Sequence, residues 1–155
     1  MGTRHRQAVI AKNGELKIQQ YGQWDGYPDG QGKSILNYLR NGNLEKYQEN
    51  LEKIPLINKK QVDEVNKDKD WNQKYPYLSR ECGSNIHQMI EDGKVKFVQH
   101  TSLKECNQWC EGFYTIDFKK GVFVTEYRDN IVKLKLNNLP TEEEYLKMFK
   151  SNDED

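Results

Sequence analysis

The chain of 155 residues has no surplus of either charge, few cysteines and no long apolar run. Its 24 Lys and Arg stand against 24 Asp and Glu. A nucleic-acid binder normally shows a basic excess, and an acidic mimic the reverse, so nucleic acid is not the expected partner. No run of about 18 apolar residues occurs, and the first thirty residues hold charge and a glycine-rich turn where a secretion signal would be apolar. The expectation is a cytoplasmic protein with no membrane partner. Cys82, Cys106 and Cys110 cannot all pair with one another and read as reduced thiols. Only 35% of the residues are hydrophobic, against about 45–50% apolar in ordinary domains when glycine is counted.

Aromatic residues fill part of that deficit. Nine Tyr, five Phe and three Trp can each bury roughly 150–250 Å², which predicts a small, aromatic-rich core. The length suits one domain, expected over residues 1–150, with a disordered tail over 151–155.

Arg6–Ala11 and Glu15–Tyr21 flank Asn13-Gly14 and read as a hairpin closed by a type I′ turn. From Trp24 to Gly32 the chain reads as a polar loop rich in glycine, and Ser34–Arg40 then has helical spacing, with Asn41-Gly42 as a stop. Leu44–Lys53 and Lys60–Lys67 are further helical stretches, the second mostly polar. Ser79 is placed to cap a helix running through Glu91, and Val95–Val98 is a candidate strand. Phe113–Phe118, Val122–Tyr127 and Ile131–Leu136 form a meander, and Thr141 with Glu144 is a capping box that opens a helix to Lys150. The fold class is α+β: an antiparallel sheet made of an N-terminal hairpin and a C-terminal meander, with helices mainly on one face.

Gly30-Gln31-Gly32-Lys33-Ser34 looks like the end of a P-loop, but the required first glycine falls on Tyr27, and Asp25 and Asp29 would repel phosphate. Cys106 and Cys110, with Cys82, His87 and His100, offer zinc-type atoms, yet the cysteines are spaced more widely than in a zinc knuckle and no second close pair exists. No metal or cofactor is expected. His87 falls near the apolar face of its helix, where a packed neutral imidazole is the common outcome, and Cys110 reads as an inert packing thiol.

The segment Tyr21–Gly32 is the strongest site candidate. Gln23, Trp24, Asp25, Tyr27 and Asp29 among glycines supply stacking surfaces and acceptors on an exposed loop. The competing reading is that Trp24 and Tyr27 fold back over the sheet edge while the aspartates cap turns. Hairpin pairing brings the start of the first strand beside the end of the second, so Arg4, His5, Gln23 and Asp25 fall close together. Arg80, in Ser79-Arg80-Glu81-Cys82-Gly83, either adds a cation at a helix start or belongs to a plain capped helix.

Met1-Gly2-Thr3-Arg4-His5 followed by Gln20-Tyr21-Gly22-Gln23-Trp24-Asp25-Gly26-Tyr27-Pro28-Asp29-Gly30-Gln31-Gly32 resembles the opening of a family of small uncharacterised proteins of bacteria, their phages and some fungi. The likeness continues through Leu78–Gly83, where the family more often has Asp than Glu81, and through Trp109–Asp117, covering residues 1 to 127 in all. The resemblance implies no activity, but its motif positions coincide with Arg4, His5, Trp24, Asp25, Arg80 and Glu111. A chain rich in Lys and Asn also suits a phage of an AT-rich host.

Two functions follow as expectations. The first is a protein that binds a small, nucleotide-like ligand or a host factor, in phage counter-defence for instance. Its ligand residues would be Arg4, His5, Gln23, Trp24, Asp25, Tyr27, Asp29 and Arg80. The second is a small hydrolase or transferase with His5 as general base, Asp25 or Glu111 orienting it, and Arg4 or Arg80 holding an anion. A version with an N-terminal nucleophile needs unusual processing, since loss of Met1 exposes Gly2 and leaves Thr3 internal.

Overall fold

The computed structural model describes residues 3–150. The expectations for Met1, Gly2 and the tail 151–155 lie outside these residues. Five strands, β1 (His5–Ile10), β2 (Leu16–Gly22), β3 (Gly112–Asp117), β4 (Val122–Tyr127) and β5 (Asn130–Lys135), form one sheet in the order β2-β1-β3-β4-β5. Hairpin and meander are both present, each strand within one residue of its expected bounds, and both are antiparallel. The sheet that joins them is mixed, because β1 pairs with β3 in parallel, His5 opposite Gly112 through Ile10 opposite Asp117. Tight turns dictate the sense of pairing only within each unit. Residues 23 to 111 return the chain to the same end of the sheet and so fix the central pair as parallel.

The first hairpin turn differs from type I′. Only Gly14 takes a positive φ, 90°, while Gly14 N–H donates to Ala11 O and Ala11 N–H to Glu15 O, both at 2.8 Å. That is a three-residue loop, a type I turn closed by a left-handed glycine.

Helices α1 (Lys33–Asn41), α2 (Leu44–Glu52), α5 (Asn85–Glu91) and α7 (Glu142–Lys150) cover one face; α3 (Lys59–Asn66) and the short α4 (Trp71–Lys74) lie in the excursion between α2 and α5. The helix expected from Ser79 begins only at Asn85; residues 79–84 are turns in which Ser79 Oγ accepts the Glu81 N–H. The strand expected at Val95–Val98 reduces to one bridge between Val98 and Leu56. Next to it, His100 and Thr101 bond Lys17, Gln19 and Tyr21 and so cover the outer edge of β2. Helix α6 (Leu103–Trp109) packs against β1, and Arg6, which β1 turns away from the core, feels Cys106 and Cys110 at the end of that helix. The Thr141–Glu144 capping box is formed in both directions.

The core is aromatic. Tyr47, Tyr77, Tyr114, Tyr145 and Phe123 are fully buried beside Ile35, Leu36, Ile86 and Ile116. Each buried tyrosine hydroxyl has a partner: Tyr47 with His87, Tyr77 with the Lys96 N–H, Tyr114 with Gly26 O, and Tyr145 with Thr125. A tyrosine buried this way supplies ring area without leaving an orphaned O–H, which suits a sequence poor in aliphatics.

Candidate functional site

Burial alternates along the loop that follows β2. Gly22, Gly26 and Pro28 are buried, whereas Trp24, Asp25, Tyr27 and Asp29 face outward. The glycines let the backbone lie flat on the sheet. A Cβ on Gly22 would sit 2.1 Å from His5 Nε2, and one on Gly26 2.7 Å from Thr3 O. The loop is therefore pressed onto the sheet by its backbone while its aromatic and acidic side chains remain available. Pro28–Gly32 makes a wide turn of π type that runs straight into α1.

Tyr114 fastens this loop. Its hydroxyl donates to Gly26 O at 2.6 Å and accepts from the Gly32 N–H. Gln31 adds a clamp: its Nε2 donates to Trp24 O and its Oε1 accepts from the Ser84 N–H. Tyr114→Phe should leave both backbone groups without their partner and cost about 1–3 kcal/mol. Urea unfolding checks this, and amide exchange should show faster opening at Gly32 than in the wild type.

On the core side of β1, His5 is wholly buried. Gln7 Nε2 lies 3.3 Å from His5 Nδ1, Gln7 Oε1 2.9 Å from His87 Nε2, and Tyr47 Oη 2.9 Å from His87 Nδ1. One proton arrangement satisfies this row: Tyr47 O–H donates to His87 Nδ1, His87 Nε2–H to Gln7, and Gln7 to His5 Nδ1. His5 Nε2 then carries the last hydrogen, and it has no partner among the described residues. Burial pushes His5 down to about 4, opposed by the charge of Asp25, and pushes His87 down to about 3. Both rings are neutral at neutral pH, as the helix position of His87 led one to expect.

On the other side of β1 the arginines gather. The sequence has five, and Arg4, Arg6, Arg80 and Arg128 all lie around the end of the sheet where β1 and β3 start and β4 ends. Three are stacked on rings: Arg4 on Trp109 at 5.5 Å, Arg6 on Phe113 at 5.4 Å and Arg128 on Tyr127 at 5.1 Å. Arg4 also bonds the Tyr21 hydroxyl, which in turn donates to Gln23 Oε1 at 2.8 Å, and Arg80 lies close enough for its charge to act on the same phenol. The Gln23 N–H donates to Arg80 O at 2.9 Å, holding that segment beside the loop. Neither Arg4 nor Arg80 forms an ion pair with a carboxylate among the described residues.

The expected residues thus fall into three groups at one end of the sheet. Arg4, Gln23 and Arg80 come together, joined by Tyr21 and Trp109, which the sequence reading had not singled out. His5 lies beneath the loop with Asp25 near enough to affect it, but the Asp25 carboxylate accepts from Tyr27 Oη at 3.1 Å. Trp24, Tyr27 and Asp29 line the outer loop, with Asp29 paired to Lys33. Glu111 is fixed through its backbone, donating to Arg4 O and accepting from the Arg128 N–H. No family model, curated protein or solved structure matches the chain.

Four surface cavities of about 320 to 450 Å³ lie over α1, α3, α4 and α5, and none of these four is lined by Arg4, His5, Asp25, Arg80 or Glu111. The arginine group is a surface patch. Among the described residues no three His, Cys, Asp or Glu side chains come together as metal ligands would, and no helix is long and apolar enough to cross a membrane.

Proposed function

We propose that this chain binds a small anionic ligand with a planar group, nucleotide-like in chemistry, at the patch made by Arg4, Tyr21, Gln23, Arg80 and Trp109. One observation carries the reading. The Arg4 guanidinium bonds the Tyr21 hydroxyl and lies on a half-exposed indole, the charge of Arg80 reaches the same phenol, and neither cation is paired with a carboxylate among the described residues. Arginine forks suit phosphate or carboxylate oxygens, and Trp109, 52% exposed, leaves ring area for a base. Trp24 and Tyr27, on the neighbouring loop, extend the aromatic surface that the ligand would meet. The resemblance to small phage and bacterial proteins supports a setting in a host cell's cytoplasm, where capture of a nucleotide signal, or of a host factor presenting similar chemistry, would serve counter-defence.

Calorimetric titration against nucleoside mono-, di- and triphosphates at low and high salt tests this. Binding should weaken with salt, fall about tenfold or more in Arg4→Gln and in Arg80→Gln, and weaken in Trp24→Ala. If no nucleotide binds the wild type, or if Arg4→Gln and Arg80→Gln bind as it does, the reading fails.

The second reading, a hydrolase or transferase using His5 with Asp25 or Glu111 and Arg4 or Arg80, rests on the Asp25 charge acting on a neutral imidazole. The ring is wholly buried, so the loop from Gly22 to Gly26 would have to lift. Phosphorus NMR of the bound nucleotide separates the two: an unchanged ligand favours binding, and turnover lost in His5→Gln favours catalysis.

A further inference from the structure

We propose that Cys106 and Cys110 form a redox-active dithiol that closes to a disulfide by exchange with a small-molecule disulfide of the glutathione class. The Cys110 N–H donates to Cys106 O at 2.9 Å, which continues the helical turn past Trp109 and sets both side chains on one face of α6. Residues four apart on a helix have Cα atoms ~6.2 Å apart, within the span a disulfide bridges. The two thiols already touch through a hydrogen bond. Their exposure differs in the way a two-step exchange needs: Cys110 is partly exposed, while Cys106 is fully buried.

Arg6 of β1 and Arg4, just before it, both act on Cys110. The charges of Arg6 and Arg4 favour a thiolate at Cys110, against the hydrogen bond to Cys106 and burial, which together hold that thiol above its usual range. Exchange should therefore be slow at pH 7 and quicken as pH rises. In the first step Cys110 thiolate attacks one sulfur of the small disulfide and expels one thiol, leaving a mixed disulfide. In the second, Cys106 thiolate attacks the Cys110 sulfur and expels the other thiol. Two protein thiols become one disulfide, and their two electrons and two protons leave as two small-molecule thiols. Cys82, buried in the main core with its thiol raised to about 12 by desolvation, has no cysteine neighbour with which to follow this course.

The experiment equilibrates the whole chain with mixtures of oxidised and reduced glutathione, quenches with acid, and maps tryptic peptides by mass. Residues 105–119 form one peptide with both cysteines, and 81–94 another with Cys82. The first should become two hydrogens lighter with no glutathione attached, faster at pH 9 than at pH 7, while the second stays reduced. Cys106→Ser should stop at one glutathione on Cys110, and Cys110→Ser should leave Cys106 unmodified. The proposal is overturned if peptide 105–119 stays reduced at pH 9 in the most oxidising glutathione mixture, or if it carries two glutathiones. The wild-type map decides this even if neither variant folds.

Discussion

Gly112→Ala should cost about 3 kcal/mol or more, an unusually large effect for one added methyl group. Its Cβ would stand 2.1 Å from Gly26 O, a backbone atom already tied to Tyr114 and hence without freedom to retreat. Gly22→Ala should be comparably damaging, since its Cβ would meet His5 Nε2 at 2.1 Å and the ring is walled in by Tyr114 and Gln7. Gly121→Ala is the control. It carries a φ of 69° but nothing lies within 4 Å of an added Cβ, so it should lose only the ~1–2 kcal/mol of left-handed strain. Urea denaturation of the three variants measures this directly. Equal losses at all three positions would mean that the loop is not pressed onto the sheet as described.

Acid should weaken the fold well before the carboxylates titrate. In the unfolded chain His5 and His87 take up protons near 6.5, whereas in the folded chain they resist until about 4 and about 3. Between these limits the unfolded state binds more protons, so stability falls as pH falls. The histidine contribution is nearly constant above pH 7. From pH 7 to pH 5 each histidine should remove about 2 kcal/mol, roughly 4 kcal/mol together. His87→Gln should be less stable than the wild type at pH 7 but should lose only about half as much between pH 7 and pH 5. A urea midpoint that does not move over this range would show that the two rings are not buried and neutral.

The parts of the fold legible in the sequence were those written in local chemistry. Asn13-Gly14, Lys119-Lys120-Gly121 and Asp129-Asn130 mark strand reversals, the last lying one residue earlier in the structure because Asn130 already belongs to β5, and the alternation of β3, β4 and β5 marks their faces. The parallel pairing of β1 with β3 was not legible, because no local signal states how two separate β units meet. Helix α6 was missed for a different reason: at seven residues, its buried Cys106 stands among Lys104, Asn107 and Gln108, and the apolar spacing is too diluted to register.

The candidate site was half legible. Hairpin geometry correctly put Arg4, His5, Gln23 and Asp25 at one end of the sheet. Neighbours along a strand nonetheless point to opposite faces, so Arg4 belongs to the surface patch with Tyr21 and Trp109 while His5 belongs to the core with Gln7 and His87. From the sequence, the glycines of the loop stood only as the setting for its exposed aromatic and acidic side chains. The close approaches of these glycines to His5, Thr3 and Tyr145 show that they serve contact.

The parallel central pair also governs the order in which this chain can assemble during synthesis. The N-terminal hairpin is complete once Gly22 has been made, but the partner strand of β1 ends at Asp117. At ribosomal speeds of about 5–20 residues per second, the inner edge of β1 waits on the order of 5–20 s for β3. Through that interval the edge presents unpaired backbone groups and the apolar run Ala8-Val9-Ile10, an opening for association with another nascent chain. Expression at low temperature prolongs the wait, so the fraction of chains lost to aggregation is set by translation and folding speed as well as by the stability of the finished sheet.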